Sequence, residues 1–136
     1  MEKTLYQTEF CAISHDAENS LLFLRWNENS AHITDEMFRD TISRLAGYAK
    51  EHSVKGLLPN AQKFNFTIVP KTQEWHDTQI VPIYNDIGMK RLAFVVSEDL
   101  FSQVSIEQIF EEEQAETLRV NYFTNEESAI EWLNAS

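Results

Sequence analysis

The chain has 136 residues, 43% of them hydrophobic and 12% aromatic, which is enough to build one core and too apolar for a disordered segment. Its 22 acidic and 11 basic side chains leave a formal net charge of -11, a field that opposes nucleic-acid phosphates and anionic membrane surfaces. The single cysteine, Cys11, excludes an internal disulfide and a multi-cysteine metal site.

From Leu5 to Ser14 the apolar residues Leu5, Phe10, Ala12 and Ile13 alternate loosely and predict a first strand. The turn-rich break Asp16-Ala17-Glu18-Asn19 and the apolar run Leu21 to Trp26 complete an antiparallel hairpin. A helix follows the loop Asn27 to Ser30. Thr34 is placed to cap it, Asp35 and Glu36 suit the positive end of its dipole, and Phe38, Ile42, Leu45 and Ala49 form its buried stripe. Val54 to Leu58, stopped by Pro59 and Asn60, reads as a third strand. After an irregular stretch carrying Phe64 and Phe66, Pro70 opens a second helix that runs to about Asp86 and ends at Gly88. Pro82, inside it, should kink or divide it.

Leu92 to Val96 is an unbroken apolar run too short for a typical helix, so it predicts a strand buried on both faces. A helix over Ser102 to Ala115 buries Ile106, Ile109 and Phe110, and Glu111, Glu112 and Glu113 diverge around it as a solvated face. Leu118 to Phe123 alternates as a last strand. Thr124-Asn125-Glu126-Glu127 then matches a capping box for a terminal helix packed through Ile130 and Leu133. The order ββαβαβαβα predicts an α/β fold: a five-stranded mixed sheet, antiparallel at its start and parallel afterwards, with helices on its faces. Without repeats or a linker-like tract, 1–136 reads as a single domain.

No catalytic motif stands out. His15, His32, His52 and His76 show no metal-ligand spacing, and His76 beside Asp77, with Glu74 nearby, is the closest approach to one. Ser97 lies at the end of the central strand but outside any Gly-x-Ser-x-Gly elbow, and no glycine-rich phosphate loop occurs. No cofactor is therefore expected. The aromatics Phe64, Phe66 and Trp75 cluster around the longest irregular segment; with Phe101, Phe110 and the neighbouring Asn60 they either wall an apolar cavity or cover the end of the sheet. The segment MEKTLYQTEF lacks a basic patch followed by an apolar core, and no run approaches the ~20 apolar residues of a membrane span. The expectation is a cytoplasmic protein that binds no nucleic acid and makes no stable membrane insertion.

The segments Phe64-Asn65-Phe66, Glu74-Trp75, Ala93 to Phe101 and Ile106 to Ala115, with the closing run Tyr122 to Leu133, resemble a bacterial SpoIIAA-like domain of the STAS/SEC14-like superfamily. In the anti-sigma-factor antagonist branch, a serine in an Asp-Ser setting after the third strand accepts phosphate from a partner kinase. The matching stretch here, Leu58-Pro59-Asn60-Ala61-Gln62, has neither the acid nor the serine. The resemblance thus implies a non-enzymatic regulatory module acting through a protein partner, or as a homodimer, without that phosphorylation. The alternative is a carrier or sensor of a small apolar, lipid-like ligand held near Asn60, Phe64, Phe66, Trp75 and Phe101.

Overall fold

The computed structural model describes residues 2–66, 68–99 and 118–135. Strands β1 (Glu2–Gln7), β2 (Cys11–Asp16) and β3 (Leu21–Trp26) lead through a 3-10 turn (Glu28–His32) into helix α1 (Asp35–His52) and strand β4 (Gly56–Asn60). Helix α2 (Pro70–Trp75), a π-helical turn (His76–Ile80) and helix α3 (Val81–Asp86) follow, then β5 (Arg91–Val95), β6 (Arg119–Phe123) and α4 (Glu126–Asn134). The six strands form one sheet in sequential order, antiparallel from β1 to β3 and parallel from β3 to β6. The α/β character and the mixed sheet agree with the sequence reading; the number of strands does not. The expected helix from Ser102 to Ala115, with Phe101 and Phe110, lies outside the described residues.

The extra strand comes from splitting Leu5 to Ser14 in two. The Thr8 hydroxyl accepts the backbone N–H groups of Phe10 and Cys11, while the Thr8 N–H donates to the Cys11 carbonyl. This local Ser/Thr-type turn reverses the chain in three residues. No glycine or proline marks the reversal, so apolar alternation alone does not expose it. Strand β4 also begins and ends later than expected, with Pro59 inside it. The proline has no N–H to donate, and the β4–β5 register runs through Gly56, Leu57 and Asn60 while skipping Leu58 and Pro59.

Helix ends follow their caps. Thr34 accepts the Met37 N–H, as expected. At α4 the cap is Asn125, whose side chain accepts the Ser128 N–H, so the helix starts one residue later than a Thr124 capping box requires. Gly88, at φ +75°, closes α3: its N–H reaches the Asn85 carbonyl and the Met89 N–H reaches Tyr84. Those two bonds are a Schellman motif. Pro82 does not end the helical backbone, which runs from Pro70 to Asp86 through a π turn that separates α2 from α3. The turn before it widens instead, and the Val81 N–H reaches back to the His76 carbonyl, the wider spacing of a π turn. A proline ring collides with the carbonyl four residues earlier in a regular α-helix, and the wider turn relieves that collision.

Side chains alternate across the sheet, so β3, β4 and β5 each contribute to two separate cores. Leu22, Leu24, Leu57 and Leu92 join Phe38, Ile42 and Leu45 of α1 and Tyr84 of α3 on one face. Leu21, Phe23, Leu58, Ala93 and Val95 meet Ala129 and Leu133 of α4 on the other. Gly56 lets α4 approach closely, because a Cβ there would lie 2.8 Å from Leu21 Cδ2 and 3.1 Å from Leu133 Cδ2. Among the described residues, no helix is long and apolar enough to cross a membrane.

Candidate functional site

The described residues leave a hollow on the α1 face. Between the sheet and the helices α1, α2 and α3 lies a cavity of about 540 Å³, within the usual range of small-molecule sites. Its floor uses the residues of one parity: Leu24 and Trp26 of β3, Pro59 of β4, Phe94 of β5, and Val120 and Tyr122 of β6. Phe38 and Ile42 of α1 close one side, and Thr72, His76, Val81 and Tyr84 the other. Ala61, Phe64 and Ile68, in the stretch after β4, form the end wall.

Aromatic rings set the shape of that wall. Phe64 packs against Trp26 with ring centroids 4.9 Å apart, and Phe38 lies between Trp26 and Phe66 at 5.8 and 5.7 Å. Across the floor Phe94 stacks on Tyr122 at 5.2 Å. Offset and tilted rings at these separations attract beyond their buried area. A wall of rigid rings holds its outline more firmly than one of flexible aliphatic chains.

Polar groups are few and gathered on one side. Thr72 is fully buried, but its hydroxyl donates to the Asp35 carboxylate and accepts from Arg39 at 3.3 Å. That hydroxyl is already engaged in tying α2 to the start of α1. Gln73, His76 and Asp77 come next along the same wall, with the Gln73 amide donating to Asp77 Oδ1 at 3.3 Å and His76 Nδ1 3.6 Å from the same oxygen. Burial lowers the His76 pKa despite the opposing pull of Asp77, so the imidazole is neutral at pH 7. Burial pushes the Tyr84 phenol upward and keeps it neutral as well.

The residues singled out in the sequence are only partly brought together. Phe64 lines the cavity, and Phe66 supports it from behind through Phe38 and Phe64. Trp75 packs on the same core beneath the Arg39 guanidinium, 5.2 Å from the ring centre, without lining the cavity. Asn60 points to the opposite face, where its amide donates to Glu126 Oε2 at 2.7 Å. Phe101 is outside the described residues. The floor residues Trp26, Phe94 and Tyr122 are not among the residues the sequence singles out; the signal that could have found Phe94 is the period of two, which puts Leu92, Phe94 and Val96 on one side of a strand.

Two further polar clusters lie away from the cavity. On the α4 face, Arg25 bridges Glu126 and Glu2, with Nε–Oε2 at 2.9 Å and Nη1–Oε1 at 2.6 Å. The hydrogen bond from Arg25, then that from Asn60, holds the Glu126 carboxyl below its ordinary range against the opposing effect of burial. On the α1 face, His15 of β2 stacks on His52 at the end of α1 with centroids 4.1 Å apart. Burial, and then His52, lowers the His15 pKa against the pull of Asp16. Among the described residues, no group of three or more His, Cys, Asp or Glu side chains converges as a metal site.

No protein-family model, curated protein or solved structure matches this chain.

Proposed function

We propose that this protein binds a small, mainly apolar ligand in the cavity between its sheet and the helices α1, α2 and α3. The observation that carries this reading is the cavity of about 540 Å³ that the described residues Trp26, Phe38, Phe64, Phe94 and Tyr122 wall. A mainly apolar pocket of this size with a few polar groups along one side is the usual form of a small-molecule site. The reading takes the role to be carriage or sensing, in which the bound molecule completes the core. On this view the aromatic cluster around Phe64 is the recognition wall rather than a plain cover for the sheet.

The test is titration with neutral N-phenyl-1-naphthylamine, whose fluorescence rises in apolar surroundings. Saturable binding of one probe per chain is expected, with a Kd of roughly micromolar order for a ligand of that size. The substitution A61W, which adds a ring to the end wall, should abolish the signal while leaving the far-ultraviolet circular dichroism intact. If A61W disturbs the fold, F64A, which widens the same wall, should still weaken binding at least severalfold. Probe binding that is absent, non-saturable or indifferent to both substitutions would sink the reading.

A second reading, a contact surface for a protein partner or another copy of the chain, is favoured by Met37, Ile68 and Val69. These large apolar residues stay exposed near the tied starts of α1 and α2. Such a surface predicts concentration-dependent association in sedimentation velocity, reduced by M37K or V69K.

A further inference from the structure

The charge around the cavity narrows the class of ligand, given the binding role proposed above. Among its described lining residues none is lysine or arginine, and Asp77 is the charged one. Arg39 reaches the Thr72 hydroxyl from α1, but its guanidinium is paired with Asp35 at 2.8 Å and lies over Trp75. Lys63 and Lys71 flank the end wall in sequence and are exposed outside it. Residues 100–117 contain five glutamates and no basic residue. They therefore supply no cation to any part of the molecule.

A carboxylate at the polar end of this space would meet no positive partner among the described lining residues. It would also face the Asp77 carboxylate and a chain of net charge -11. A cation meets the reverse. Asp77 offers its charge, the acidic field raises the local cation concentration, and the faces of Trp26, Phe64 and Tyr122 are electron-rich surfaces for an ammonium group. His76, kept neutral by burial, adds no repulsion.

We infer that the cavity takes ligands with an aromatic or aliphatic body and a cationic amine at the polar end, and discriminates against fatty-acid-like carboxylates. Asp77 is the residue that reads the charge, at the edge where its side chain remains 61% exposed. Because that edge is wet, its contribution is that of a surface ion pair, about fivefold in affinity at low salt. The preference shrinks as salt screens it.

Three molecules with one body test this: phenylbutylamine, phenylbutanol and phenylbutyrate, each used to displace N-phenyl-1-naphthylamine at pH 7. The amine should displace the probe at about one-fifth the concentration the alcohol needs, and the acid should be weakest. The substitution D77N should bring the amine-to-alcohol ratio close to one, and D77E, which keeps the charge, should preserve it. Equal displacement by amine and alcohol, or a preference for the acid, overturns the inference while leaving the cavity as a binding site. Failure of the parent probe to bind overturns the binding role itself, so the two failures are separable.

Discussion

The two faces of the sheet solve the same packing problem differently. Opposite α4, the strands present Leu21, Phe23, Leu58, Ala93 and Val95, and a single short helix fills the space through Ala129 and Leu133. A polar clamp of Arg25, Glu126, Asn60 and Glu2 then fastens that helix to three strands. Opposite α1 the core is larger, yet the described residues leave a cavity between the helices and the strands. The difference follows from side-chain size at adjacent positions. Small residues, Gly56 and Ala93, let α4 approach, whereas Phe38, Phe64, Phe94 and Tyr122 prop the other layer open.

The largest effect should come from neighbours on β4. Leu58 and Leu57 are 0% and 1% exposed and point to opposite faces. Leu58→Ala empties a packed site and should cost about 3–4 kcal/mol, whereas Leu57→Ala enlarges an existing void and should cost about 2 kcal/mol. Urea denaturation measures both, and equal costs would erase the contrast between the faces.

A smaller effect should separate the faces by pH. His15 and His76, on the cavity face, have lowered pKa values, so the unfolded chain takes up their protons first as the solution is acidified. Their contribution is complete above the ordinary histidine value of 6.5 and is lost as the pH falls through the lower folded values. Glu126, on the α4 face, also titrates below its usual value, so its contribution persists above 4.5 and is lost only at lower pH. The Tm should therefore fall in two stages on acidification, with H15Q shrinking the first and E126Q the second. A single stage unaltered by either variant would contradict this division.

The smallest effect concerns the end of α1. Ser53 adopts the left-handed conformation at φ 48° and ψ 49°, with its N–H bonded to Ala49 and Lys50 carbonyls. Ser53→Gly removes a Cβ strained in that region and should raise stability by about 0.5 kcal/mol. Thermal unfolding would register it as a small rise in Tm, and a fall would show that the Ser53 side chain matters more than its backbone.

Much of this molecule is written in local chemistry. The Thr34 cap, the stripe from Phe38 to Ala49, the Gly88 stop and the buried run at Leu92 each depend on a few neighbouring residues, and each reappears in the fold. The turn at Thr8 was concealed because a hydroxyl, rather than a glycine or proline, closes it. For the candidate site, Phe64 was readable as part of an aromatic group beside a loop, but its partners Trp26, Phe94 and Tyr122 come from three different strands. Strand order and the side of the sheet each helix takes bring them together, and these depend on contacts between residues far apart in the chain. The same long-range geometry turns Asn60 away towards Glu126 and places His15 on His52. Sequence determined most of the elements, though not the Thr8 turn that makes two strands of one, and the apolar stripe of α1. Only the tertiary structure decided which apolar faces met closely and which stayed apart, because the distance between layers is set jointly by side chains on opposing elements.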